Sequence, residues 1–462
     1  MKVLKSNFII AVLLIIVFGL NANANELTLE DCIELALKNR YSIISARGME
    51  DLAKAGKSAA LGAFLPSVSA SYNYSKGKET DIEPGIFRPI GDPVTVLDTT
   101  TINGQTAIDA VSVSNYELVE EQDIGPSKSL SVSANMWLFN LENFYSLAQA
   151  NASKEAASLD VINSEQDLIF AVKLSYYTYL ASVEKVEVEE EAVKRSEEQL
   201  KLINSRYELG SASLSDVLKQ KVLFGNDQLA LLTANNSVVT TKASLAYTIG
   251  LNPNSDIEFS KNYNTKEYEG SLEEAISFSF ENEPGLQSSM MNSKAASKAV
   301  KATLSNYLPR LSGSASFTKF NGTQAYPTAF DYSSINKRYG FTVSWNIFDG
   351  FQRERAVTSA KVNRNNARAW EAETKNLVIR DVKTAYFEIE QQKQANQIAQ
   401  DNVEAANEDM KITQEKYNLG AATILDLLNA QESLKRAQVD LIRRGFDLNL
   451  AIAKLENAMG KK

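Results

Sequence analysis

Catalysis by protein side chains rests most often on histidine, cysteine or paired carboxylates, and this chain is poor in the first two. Its 462 residues include no histidine and one cysteine. The usual general base, the usual triad partner and the commonest metal ligand are therefore missing. Cys32 has no second thiol to pair with. The residues before it, Thr28-Leu29-Glu30-Asp31, lack the small apolar pattern of a lipid-attachment signal, so it reads as a small residue on a helix face. Carboxylates are plentiful, but no paired-carboxylate motif and no Gly-rich phosphate loop stands out. These features point away from an enzyme, and no cofactor or metal is expected.

The polar and aromatic residues that recur at a fixed spacing suggest electrostatics instead of bond making. Arg206-Tyr207-Glu208-Leu209-Gly210 is echoed by Lys416-Tyr417-Asn418-Leu419-Gly420, and Asp216 by Asp426, all at a spacing of 210 residues. Ser213-Leu214-Ser215-Asp216 and Thr423-Ile424-Leu425-Asp426 both fit a capping box, which sets the acid near the positive end of a helix. Each aspartate thus reads as a helix cap, a role that leaves room for a second one. Tyr207 and Tyr417 fit packing aromatics at the ends of the helices. Gly210 and Gly420 supply left-handed backbone between helices.

Long helices must hold these turns. Leu141 to Leu209 contains neither Gly nor Pro, and neither does Phe351 to Leu419. A helix of that length spans ~100 Å at about 1.5 Å per residue, far beyond an ordinary globular helix. The stretch Glu184 to Glu198 is highly charged, and in and just after it Val186, Val193, Leu200 and Ile203 fall at spacings of seven, seven and three. That is the pattern of a coiled-coil-like wall.

The rods belong to a duplication. Thr28-Leu29-Glu30-Asp31 and Leu65-Pro66 return as Ser271-Leu272-Glu273-Glu274 and Leu308-Pro309, both at a spacing of 243 residues. Leu138-Phe139-Asn140 returns as Ile347-Phe348-Asp349. Each half reads as helix, strand, loop, strand, long helix, turn, helix. The first repeat covers 25–251, with strands at about 67–75 and 129–139, a loop over 79–127, a long helix over 141–209 and a helix over 213–249. Acids dominate the loop, Arg88 is its only base, and it reads as solvated with a short hairpin inside. A linker follows over 252–270. The second repeat covers 271–462, with strands at about 310–318 and 339–348, a long helix over 351–419 and a helix over 423–459.

Residues 1–24 read as a cleavable signal peptide: Lys2 and Lys5, then an apolar run from Phe8 to Leu20, then Ala22-Asn23-Ala24. That run is too short to span a bilayer, and no other stretch approaches a transmembrane helix. The net charge is −9, and removal of Lys2 and Lys5 leaves the mature chain more acidic still, which argues against nucleic-acid binding.

The strands alternate. Val68, Ala70, Tyr72 and Tyr74 face one way and Ser67, Ser69, Ser71 and Asn73 the other, and the remaining three strands repeat the pattern. Four strands are too few to close a barrel that leaves an aqueous channel, and an open sheet in lipid leaves edge groups unpaired. If the apolar face meets lipid, several chains must pool strands, and three would give 12. Tyr72, Tyr74, Trp137, Phe317, Phe341 and Trp345 are candidate membrane-interface aromatics.

Duplicated helix-strand-strand-helix halves, Leu-Pro before a Ser-alternating strand, Trp345-Asn346-Ile347-Phe348-Asp349-Gly350 after one, and Tyr-x-x-Gly followed by Asp-x-Leu resemble the TolC-like outer membrane efflux protein family across essentially the whole mature chain. The resemblance implies a mainly α fold with a small β component. Four strands per chain would join a trimeric 12-stranded β-barrel, continued by a long α-helical periplasmic tunnel. It further implies a homotrimer acting as the passive exit duct of a tripartite efflux pump or type I secretion system, with a periplasmic adaptor protein and an inner-membrane transporter as partners. By residue match, Gly210 and Gly420 mark the tip turns, Tyr417 and Asp216 the gate contact, and Asp426 an acidic ring. Ala422 replaces a gate-locking arginine and Asn429 a second ring acid, which implies a weaker lock and ring. A membrane-anchored structural or adhesive coiled-coil protein is the rival reading, and it predicts no internal duplication.

Overall fold

The computed structural model describes residues 26–79, 87–89, 94–102, 105–113, 116–118, 122–255, 257–261, 268–324 and 330–461. The proposed signal peptide lies outside them, as do parts of the 79–127 loop and of the 252–270 linker. The chain divides into a helical unit (26–57, 148–300 and 358–461) and a sheet unit (58–147 and 301–357).

In chain order the elements are α1 (Leu29–Asn39), α2 (Tyr41–Gly62), β1 (Ser67–Glu79), β2 (Phe87–Pro89), β3 (Val94–Ile102), β4 (Gln105–Val113), β5 (Tyr116–Leu118), β6 (Gln122–Phe139), α3 (Leu141–Glu208), α4 (Leu214–Thr248), α5 (Leu272–Asn282), α6 (Pro284–Leu304), β7 (Arg310–Gln324), β8 (Phe330–Ser344), α7 (Gln352–Asn418) and α8 (Ile424–Ala458). The duplicated halves are plain in this order. The two rods, α3 and α7, hold 68 and 67 residues.

Four helices start from reciprocal capping boxes, at Thr28/Asp31, Ser213/Asp216, Ser271/Glu274 and Thr423/Asp426. In each, the hydroxyl accepts from the third backbone N–H while the acid accepts from the cap's own N–H, which satisfies two otherwise orphaned donors. One helical stretch per half breaks where the sequence reading runs on. Arg40 is extended between α1 and α2, and its guanidinium lies 4.7 Å from the Tyr247 ring centre and donates to Tyr247 O at 3.1 Å. Glu283 is extended between α5 and α6 because Pro284 follows and disfavours helical backbone before it.

The helical unit carries two large apolar clusters, each built mainly from one half. Cys32, Ala36, Ile43, Val172, Tyr176 and Leu245 anchor the first, and Leu286, Val382, Ile389, Ile452 and Leu455 the second. Cys32 is fully buried, and burial pushes its thiol up to about 12, so it is a packing residue. Among the described residues no helix is long and apolar enough to cross a membrane.

In the sheet unit, β1-β6-β7-β8 form an antiparallel sheet whose register aligns like with like. Val68 pairs with Ala134, Ala134 with Ala315 and Ala315 with Tyr339. One residue along, Ser69 pairs with Ser133 and Ser133 with Ser316. The pleat therefore sorts apolar and hydroxyl residues onto opposite faces. Cross-strand hydroxyl pairs knit the polar face, Ser69 to Ser133 at 2.8 Å and Ser131 to Thr318 at 3.2 Å. Lys337, opposite Phe317, and Lys319, opposite Leu130, enter the apolar face beyond Ala315. Strands β1 and β8 are the open edges.

The acidic loop is more ordered than the sequence reading allows. β1 and β6 extend into it, β3 pairs with β4 along their whole length, and β2 pairs with β5 outside them. Val, Ile and Thr dominate β3 and β4, and they suit a pleated surface despite the acids between them. The second-half strands run closer to their connecting loop than alternation suggests, β7 to Gln324 and β8 from Phe330, and β8 stops at Ser344. Beyond it Trp345 Nε1 donates to Tyr307 O at 3.0 Å and Ile347 O accepts from Arg353, so the chain has left the ladder.

Candidate gate at the paired helical turns

The rods end in superimposable chemistry. Gly210 and Gly420 have φ of +73° and +72°. Ser211 N donates to Arg206 O at 2.7 Å, and Ala421 N donates to Lys416 O at 2.8 Å. These bonds close the last helical turn, and the left-handed residue they need explains the glycines.

The two turns share a small apolar core. Ile203, Ile424 and Leu427 are buried, with Ala212, Val217, Met410 and Tyr417 packed on them. Beside it lies a cleft of about 880 Å³ lined by Arg206, Asp216, Lys219, Tyr417, Ala422 and Thr423, among others. Asp216 and Tyr417 thus stand on the walls of one cleft. The Asp216 carboxylate is occupied by its cap, accepting from Ser213 N at 3.2 Å. Burial holds the Tyr417 hydroxyl above its ordinary pKa, Arg206 opposes this, and the Asp216 charge adds to it.

Arg206 is the residue that the sequence reading did not single out. Its guanidinium lies 5.2 Å from the Tyr417 ring centre, and Nη2 donates to Asn418 Oδ1 at 3.1 Å. It therefore ties the end of α3 to the end of α7. The available signal was the duplication, since Arg206 matches Lys416 and both sit in a last helical turn that favours cations.

The other two acid and aromatic candidates stand apart. Asp426 accepts from Thr423 Oγ1 at 2.7 Å and Thr423 N at 2.9 Å, and these bonds hold its carboxyl below the usual aspartate range. Tyr207 is exposed and does not line the cleft. Higher along the helices, Lys435 Nζ meets Asp227 Oδ1 at 2.8 Å and Glu432 Oε2 at 3.0 Å. Desolvation lowers the lysine pKa, but the two carboxylates outweigh it and leave Lys435 raised.

The six candidate interface aromatics fall in the sheet unit. Trp137 is close to the end of β6 and Trp345 follows β8, while Tyr72 and Tyr74 lie within β1, because the ladder continues to Glu79. Phe341 is exposed in β8, and Phe317 pairs with Lys337.

Residues 32–251 and 275–461 match the family model for outer membrane efflux protein. Among characterised relatives, the outer membrane efflux protein BepC of Brucella suis is 22% identical over 435 residues, covering 94% of this chain and 85% of the relative. The outer membrane protein TolC of Vibrio cholerae is 21% identical over 425 residues, covering 87% and 94%. Solved structures share the fold. The outer membrane protein VceC of Vibrio cholerae superposes with a TM-score of 0.73 at 18% identity, covering 94% of this chain and 96% of that one. The CmeC outer membrane channel of Campylobacter jejuni gives 0.75 at 15% identity, covering 94% and 85%.

Proposed function

The chain belongs to the outer membrane efflux protein family, and from that premise we propose how it works as an outer-membrane exit duct. Three copies pool their sheets into a 12-stranded barrel, and their rods wall a periplasmic tunnel. The duct is passive: it adds no chemistry to its cargo and is the channel component of a tripartite efflux pump or type I secretion system. An inner-membrane transporter supplies the energy and a periplasmic adaptor joins the two. The paired turns at Gly210 and Gly420 form the gate, with Tyr417, Asp216, Asp426 and Tyr207 at or near the constriction and Arg206 bracing Tyr417.

The observation that carries this reading is the open four-stranded sheet. Its register sorts apolar residues onto one face and hydroxyls onto the other, while β1 and β8 keep unpaired edges. In lipid each unsatisfied backbone group costs several kcal/mol, so the edges must find one another on neighbouring copies. The hydroxyl face then lines water.

Cysteine pairs across β1 and β8 test the assembly. With Cys32 replaced, Val68→Cys and Val343→Cys in one chain should cross-link into a species of three chains in membranes. A product that stops at two chains, or forms only between unfolded chains, overturns the pooled barrel.

A further inference from the structure

The internal duplication supplies a control for one cleft in the helical unit. Between α5, α6 and α7 lies a cavity of about 520 Å³. Phe280, Leu286, Met290 and Ala372 give it an apolar lining, and Arg368, Lys375 and Glu371 stand at its rim. Leu286 is buried, whereas Arg368 and Lys375 are exposed. Lys375 Nζ lies 4.9 Å from the Phe280 ring centre. Among the described residues neither cation has a carboxylate partner.

The equivalent place in the first half is bridged by polar contacts. At the repeat spacings, Met290 corresponds to Arg47, Ser293 to Glu50, Arg368 to Ser158 and Lys375 to Glu165. There, Arg47 Nη2 meets Glu165 Oε1 at 3.3 Å, and Ser158 Oγ donates to Glu50 Oε1 at 2.9 Å. Two polar bridges thus tie α2 to α3. In the second half both bridging carboxylates are gone and two cations have appeared in the rod. Glu371, which corresponds to Val161, adds one carboxylate, so the rim keeps a net positive charge.

Size, lining and charge agree on a ligand class. The cavity falls in the range of small-molecule sites, mostly apolar with a few fixed polar groups. Arg368 and Lys375, two turns apart on one rod with Glu371 between them, can each meet a carboxylate or a similar oxyanion, the arginine through two parallel N–H donors. We infer that this cleft binds an amphipathic organic anion, with its apolar body on Phe280, Leu286 and Met290 and its head between Arg368 and Lys375. The site is separate from the gate, and its existence does not depend on how the duct opens.

The test is calorimetric titration of decanoate into the mature protein in phosphatidylcholine nanodiscs, with empty discs subtracted. Decanol and decyltrimethylammonium carry the same tail with no charge and the opposite charge. The expected result is saturable decanoate binding, at least about tenfold tighter than decanol, the size of one charge-assisted contact, and none for the cation. Arg368→Gln with Lys375→Gln removes the head site. Met290→Arg with Lys375→Glu rebuilds the ion pair of the first half. Both should lower decanoate affinity at least about tenfold with the assembly intact. Decanoate binding no tighter than decanol, or unchanged in both variants, overturns the inference. So does a variant that separates the copies, which would assign the cleft to a contact between chains.

Discussion

The guanidinium of Arg206 lies over the ring of Tyr417, 5.2 Å from its centre, and its Nη2 reaches Asn418. This contact joins the last turn of α3 to the last turn of α7. Under the proposed gating, opening separates those turns and must break it. Arg206→Ala therefore loosens the closed state by about 0.5–1 kcal/mol, the value of an exposed cation–π contact. Tyr417→Phe keeps the ring but loses the hydroxyl's bond to Arg206 and should fall between wild type and Tyr417→Ala, while Tyr417→Ala should match Arg206→Ala. Proteolysis near Gly210 and Gly420 reads the loosening. Equal cleavage of wild type and Arg206→Ala contradicts the assignment.

The buried pair Asp227–Lys435 sets a second expectation. Their side chains are 5% and 15% exposed. Lys435→Met leaves Asp227 as an uncompensated buried charge and should cost about 3–5 kcal/mol, while Asp227→Leu combined with Lys435→Met should recover most of it. Thermal unfolding of the three proteins decides between these outcomes.

Glycines separate by backbone demand. Gly210 sits at φ +73°, so Gly210→Ala should destabilise the turn by about 1–2 kcal/mol. Gly225 lies inside α4, and a Cβ there meets nothing within 4 Å. Gly225→Ala should therefore stabilise, by about 0.5–1 kcal/mol. Unfolding midpoints of the two variants should move in opposite directions.

Acid should fray α8 from its start. The hydroxyl and N–H of Thr423 hold the Asp426 carboxyl below its ordinary value of 3.8. A depressed folded pKa contributes stability that is present above the ordinary value and is lost as pH falls through the folded one. Amide exchange in the first turn of α8, corrected for intrinsic rates, should accelerate below about pH 4. The same turn in Asp426→Ala should exchange fast at every pH.

Much of this fold is legible in the sequence because its signals are periodic and repeated. Long runs free of Gly and Pro define the rods, and Ser alternation defines the strand faces. The capping boxes place Asp216 and Asp426 at helix starts, where the structure finds them. Side-chain meetings between rods are less legible. Arg206 and Tyr417 lie on separate helices, and nothing local to either marks the other as its partner. The Asp227–Lys435 pair is hidden for the same reason, and in the duplication Lys435 corresponds to Gly225, so no matching residue announces it. The hairpins of the acidic loop were masked by charges that suit solvent and say little about ladder pairing.

Single-channel conductance in a planar bilayer tests the central claim most directly. The purified mature protein should insert and give small closed-state currents. These currents should rise in a variant that joins Arg206→Ala to Tyr417→Ala at the paired turns. A protein that leaves the bilayer silent, or whose currents ignore the paired-turn variant, would contradict a duct gated between Gly210 and Gly420.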